Sequence, residues 1–205
     1  MTESANSEPD AKTGGKRERT RAALIAATLE VAKEKGFSAT SLDEIAARAG
    51  MTKGAIYSNF ASKAELLLAA MFTTEFTIPP AAPLDAPAPD QVRGMAQGLA
   101  AMIERTRGEE RFLAEFEVYA ITDPEMRQAF ADFYTEGFGF TGEYLAKVEG
   151  LGGGMSGRDL AVALQCLSVG FVMQSFITPD EVTPQVIEKT LEMLARGLEA
   201  SSAAN

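Results

Sequence analysis

Apolar positions along this chain recur at helical spacing. Leu24, Ile25, Thr28, Leu29 and Ala32 form the first stripe, with the 3.6-residue period of an amphipathic helix from about Lys16 to Lys35. Gly36 supplies its stop, and Phe37 follows where a side chain tucks into a small core. Ser41-Leu42-Asp43-Glu44 is a capping box, in which the serine hydroxyl accepts a backbone N–H three residues on and the glutamate reaches back. It opens a second helix that ends at Ala49-Gly50. Thr52 caps a short third helix containing Lys53 to Asn59, and the box Ser62-Lys63-Ala64-Glu65 opens a fourth that runs to about Phe76. The segment Ile78 to Asp90 holds five prolines, so it reads as an extended connection between a small domain and a larger one.

Beyond the prolines the pattern predicts helices only. They run from about Asp90 to Arg105, from Glu109 to Ile121, and from the Asp123-Pro124 cap to about Val148. The run Gly150-Leu151-Gly152-Gly153-Gly154 interrupts the chain. Ser156 then caps an apolar helix, Thr178-Pro179-Asp180 turns it, and Thr183-Pro184 opens the last helix. No segment alternates with period two. The expected fold class is all-α, with about nine helices. The expected organisation is a disordered leader at 1–15, a small helical domain at 16–61, a linking helix at 62–76, the proline-rich connection at 77–90 and a helical body at 91–205.

Composition narrows the functional class. The 205 residues include no His or Trp and a single cysteine, Cys166. An internal disulfide and a His/Cys zinc site are therefore excluded, and a reducing cytoplasm is the natural setting. The polar first residues lack the apolar core of a signal peptide. Leu160 to Thr178 carries no charge, but Gln165, Ser168, Gln174 and Ser175 lie within it, and no Lys/Arg cluster flanks it. It reads as a helix covered on all sides rather than a membrane span. The net charge of −10 is unevenly distributed. Residues 12–63 carry ten basic and five acidic side chains, whereas residues 64–205 carry nine and twenty-one. A basic head on an acidic body suggests a local electrostatic footprint for DNA. No metalloprotease helix, phosphate loop or nucleophile elbow is present, so neither catalysis nor a cofactor is expected.

The segment 42–60, LDEIAARAGMTKGAIYSNF, has helix-turn-helix spacing. Ala46 suits a close helix crossing, Gly50 a left-handed reversal, and Ile56 the gap between the two helices, with Ile45 and Ala49 completing the inner face. The run from Thr52 to Leu66, with Gly36-Phe37, Thr40-Ser41-Leu42, Ile45-Ala46 and Ala49-Gly50 upstream, resembles the tetracycline-repressor (TetR) family over about residues 16–72. That resemblance implies a three-helix DNA-binding head, a linking fourth helix and a dimeric helical body that binds a small molecule. It also implies a transcription regulator, most often a repressor, on an inverted-repeat operator. A helical small-molecule-binding protein or an enzyme without specific DNA binding is the alternative.

Candidate DNA contacts follow from position. Thr40 and Thr52 sit at helix starts, where hydroxyl and amide groups suit phosphate. Lys53, Gly54 and Ala55 form the first turn that faces the major groove. Tyr57 and Lys63 resemble the family's phosphate clamps, Ser58 and Asn59 lie one turn on, and Arg17, Arg19 and Arg21 belong to a possible N-terminal arm. Phe60 is expected in the core rather than on DNA. In the body, Phe112, Phe116, Tyr119, Phe130, Phe133, Tyr134 and Phe138 are candidate ligand-lining residues, with Glu115, Glu117 and Glu143 near enough in sequence to favour a hydrophobic, even cationic, effector. Gly137, Gly139 and Gly142 cost their helix stability, which invites a bend or room for a ligand. A homodimer is expected through the apolar and last helices, with Leu164, Phe171, Ile187, Leu191, Leu194 and Leu198 at the seam.

Overall fold

The computed structural model describes residues 11–72, 88–147 and 155–203, and side chains over most of these. Among them are nine α-helices and no strand: α1 (Ala11–Lys35), α2 (Leu42–Arg48), α3 (Lys53–Tyr57), α4 (Lys63–Met71), α5 (Ala88–Arg105), α6 (Glu110–Thr122), α7 (Pro124–Leu145), α8 (Gly157–Ile177) and α9 (Pro184–Ala203). The chain divides into two compact units, Met1–Met71 and Phe72–Asn205.

The expected caps close these helices. The hydroxyls of Ser41, Thr52, Ser62 and Ser156 accept from the amides of Glu44, Ala55, Glu65 and Asp159, and the Asp123 carboxylate accepts from Met126 N at 2.8 Å. Each cap satisfies an amide that the first helical turn leaves without a partner. Gly36 and Gly50 take left-handed φ of 84° and 64°. Gly108, at φ 94°, does the same before α6 and was not legible as a stop.

Two boundaries differ from expectation. Helix α1 begins at Ala11, inside the expected leader, because no proline interrupts it and its exposed residues Lys16 to Arg19 need no covering partner. Helix α4 is part of the head rather than a free linker. It packs on α1, and its Leu66 joins Leu24, Ala27, Ile45, Ala46, Ile56 and Phe60 in the head core. The first ten residues, the proline-rich connection up to residue 87, the glycine-rich loop and the side chain of Leu198 lie outside the described residues.

In the body, α5 packs along α9, and α7 along α8. Val92, Ala96, Leu99 and Met102 of α5 meet Ile187, Leu191 and Ala195 of α9, with Leu145, Leu160 and Ala161 completing the cluster. This changes the expected role of the α9 stripe. Ile187 is 0% exposed and Leu191 4%, so both are spent on the core of their own chain.

Candidate nucleic-acid interface

The head core fixes α3 by its inner side alone. Ile56 is fully buried, Phe60 is 2% exposed, and Met51 N donates to Ala46 O at 2.8 Å across the turn. Inside so short a helix, that leaves the opposite side in solvent. Thr52, Lys53, Gly54, Tyr57 and Ser58 are exposed and Ala55 half-buried. Tyr57, at 60% exposed, is a large ring that the head does not cover.

Gly54 has no explanation within the head. A Cβ there would meet only Thr52 Oγ1, at an ordinary 3.6 Å, and its φ is not left-handed. Glycine costs a helix about 1 kcal/mol against alanine. The head itself therefore does not require glycine at this position.

Other candidates are committed inward. Thr40 is 2% exposed, its hydroxyl donates to Gly36 O at 2.8 Å, and its amide donates to Phe37 O. The Asn59 amide nitrogen donates to Ala55 O at 2.8 Å, and its carbonyl oxygen is buried. Arg21 does not extend as an arm. It donates to Asn59 O and lies 4.1 Å over the Phe60 ring, tying α1 to the end of α3. Ser58 Oγ donates to Gly54 O at 2.8 Å while staying exposed. Lys63 is the half-buried first residue of α4, and Arg17 and Arg19 are exposed along α1.

Arg48, Lys35 and Lys53 are paired within the head. Arg48 forks onto Glu34 at 2.7 and 2.9 Å and reaches Glu30 at 3.2 Å, which holds Glu34 below the usual carboxylate range. Lys35 pairs with Glu44, lowering that carboxyl further than the Ser41 hydroxyl does. Lys53 Nζ lies 2.8 Å from Asp43 Oδ2, and this bond raises the lysine's pKa. Lys53 therefore stays fully charged, on the same edge as Thr52 and Gly54.

Residues 24–70 match the model of bacterial regulatory proteins of the tetR family. The match covers the head, about a quarter of the chain. A segment of this chain is 45% identical over 60 residues to the HTH-type transcriptional regulator SrpR of Pseudomonas putida, covering 29% of this chain and 28% of SrpR. It is 44% identical over 55 residues to the transcriptional activator FasR of Mycolicibacterium smegmatis, covering 27% of this chain and 25% of FasR. The match thus spans about a quarter of the length of these curated relatives. The likeness of fold extends much further. NalD, the secondary repressor of the MexAB-OprM multidrug efflux pump in Pseudomonas aeruginosa, has a TM-score of 0.57 at 25% identity, over 89% of this chain and 96% of NalD. A TetR transcription regulator from Haloarcula marismortui has a TM-score of 0.58 at 15% identity, over 89% of this chain and 98% of its own.

In the body, at least five of the seven candidate aromatics come together. Phe116 meets Phe130 edge-on at 5.5 Å, Phe130 meets Tyr134 at 4.6 Å, and Tyr134 stacks on Phe138 at 5.7 Å. Phe133 joins through Tyr134 and through Phe72, on which it stacks at 4.2 Å. Phe112 is buried on the same helix as Phe116, and Tyr119 is half-buried. Sequence reasoning missed Phe72, whose partners are distant in sequence, and Gln165 of α8, which donates to the Tyr134 hydroxyl at 3.1 Å. Burial pushes the Tyr134 phenol up to about 12, with the nearby Glu117 carboxylate adding to the shift. Burial also raises Glu117.

The apolar helix α8 is only partly covered by the described residues of its own chain. Only Leu160, Ala161 and Ser175 of its 21 residues are buried. By length and composition it could cross a membrane. Cys166, Gly170, Gln174 and Ile177 form an exposed line along it at helical spacing. Leu164 and Phe171 pack partly on the body core. On α9, Val186, Met193 and Leu194 are exposed at 45%, 68% and 38%.

Proposed function

We propose that the protein is a DNA-binding transcription regulator that acts as a homodimer on an inverted-repeat operator and is released from it by a small apolar effector. The observation that carries the DNA reading is the outer face of α3. Thr52, Lys53, Gly54, Ala55, Tyr57 and Ser58 line its exposed side, and Gly54 removes a side chain where the head needs no space. Amides of the first turn and the Lys53 ammonium suit base edges and phosphate, while Tyr57 and Lys63 suit the phosphates beside them.

The uncovered apolar side of α8 supports a dimer. An apolar helix with exposed Ile177 and Gly170 gains by meeting a second copy, and Val186, Met193 and Leu194 of α9 are further exposed apolar side chains. Two heads related by a two-fold axis suit half-sites about 34–36 Å apart. The aromatic cluster of α6 and α7 supports an apolar effector, with the similar fold of a multidrug efflux repressor in the same direction. Release requires tighter effector binding to the state that does not hold operator, about 1.4 kcal/mol for each tenfold loss of affinity.

Selection of bound sequences from random duplex DNA by the purified protein tests this directly. Enrichment of an approximate inverted repeat is expected. Recovery of unenriched DNA, or of none, would refute it. Thermal-shift screening then supplies an effector, and operator should weaken its binding by the same factor by which it weakens operator binding.

A further inference from the structure

An ion pair links the two helices of the helix-turn-helix. Asp43, in the first turn of α2, holds the ammonium of Lys53, the first residue of α3, at 2.8 Å. Both side chains are solvent-exposed, at 75% and 48%. Neither therefore serves the core. The other ion pairs described in the head differ in kind, since Arg48 and Lys35 join α1 to α2. Only this one engages the side of α3 that faces away from Ile56.

We propose that Asp43 is a specificity-determining residue, which neutralises Lys53 until a correct base edge draws the lysine away. The inference rests on the DNA-binding reading of α3. On arbitrary duplex, a Lys53 still paired to Asp43 adds no net charge against phosphate and displaces no counterion. On the operator, guanine O6 and N7 offer the ammonium two acceptors in fixed positions, and an exposed pair opens at little cost. The carboxylate thus lowers affinity for all DNA, and lowers it most where Lys53 has no base to reach.

The experiment compares the full-length wild type with Asp43→Asn on the selected operator and on a scrambled duplex, across a salt series. Asparagine keeps the shape and removes the charge. Asp43→Asn should raise scrambled-duplex affinity about three- to tenfold and steepen its salt dependence by about one counterion. Operator affinity should rise less than twofold, so discrimination falls. The same substitution is then made in a Lys53→Met background. If Asp43 acts through Lys53, the gain on scrambled duplex should shrink to less than half. Equal gains on both duplexes, or a gain that survives intact in Lys53→Met, would overturn the proposal by making Asp43 a plain repulsive charge. A wild type that binds neither duplex would instead overturn the DNA-binding reading, and this inference with it.

Discussion

Two glycines in α7 look alike in sequence and should respond oppositely to alanine. A Cβ at Gly142 would lie 2.8 Å from both the Cα and the N of Arg158, and 3.2 Å from the carbonyl carbon of Gly157. These are backbone atoms of α8, so no side-chain rotation relieves them. Restoring an ordinary separation requires α7 and α8 to part locally by about 0.7 Å, and gaps of about 0.5–1 Å forfeit a quarter to a half of each neighbouring dispersion contact. Overpacking of this kind costs about 1–3 kcal/mol, against which alanine returns about 1 kcal/mol of helix propensity. Gly142→Ala should therefore destabilise the protein, by up to about 2 kcal/mol. Gly137 has nothing within 4 Å of the same virtual atom among the described residues. Gly137→Ala should stabilise by about 0.5–1 kcal/mol. Urea midpoints, measured at one protein concentration so that assembly contributes equally, separate the two cases. Gly142→Ala at or above wild-type stability, or both variants shifting in the same direction, would refute the close-crossing account. Gly142 then has a packing reason for being glycine, and the bend or ligand space anticipated for this run is not needed to explain it.

Leu194→Glu should convert a wild-type dimer to monomer in analytical ultracentrifugation, because Leu194 is 38% exposed on one chain and a lone charge in an apolar seam has no partner; the same change at buried Ile187 should instead unfold the body. Thr52→Ala should cost the head about 0.5–2 kcal/mol in chemical unfolding and Thr52→Ser should restore most of it, since the hydroxyl accepts the Ala55 amide. Glu117→Gln should stabilise the protein near pH 7. Burial raises the folded-state pKa of Glu117 above its ordinary 4.5, so the native state holds that proton more tightly than the unfolded chain does. Stability from this group is full at low pH and is lost as pH rises through the raised value. The advantage of glutamine should accordingly shrink as pH falls, and a pH-independent difference would show that desolvation is not its cause.

The head was legible from sequence because its decisive features are local. Capping boxes act over three residues, Gly36 and Gly50 act through their own φ, and the Ala46–Gly50–Ile56 spacing is set by one turn between two short helices. The outer face of α3 followed once the inner positions were assigned. What sequence left open depended on where a side chain turns after the helices meet. Thr40 and Arg21 look like phosphate ligands by type and position, yet the turn after α1 gives Thr40 the Gly36 carbonyl, and the fold of the head gives Arg21 the Asn59 carbonyl and the Phe60 ring. Asp43 reads as an ordinary first-turn acid until the turn between α2 and α3 brings Lys53 beside it. In the body, hydrophobic period identified a buried stripe on α9, but period does not say against what. Tertiary structure gave Ile187 and Leu191 to α5 and left Val186, Met193 and Leu194 outside. Local chemistry thus determined the elements. Contacts in space decided which polar groups stay exposed on α3 and which apolar positions stay exposed on α8 and α9, because burial and pairing belong to neighbours in space.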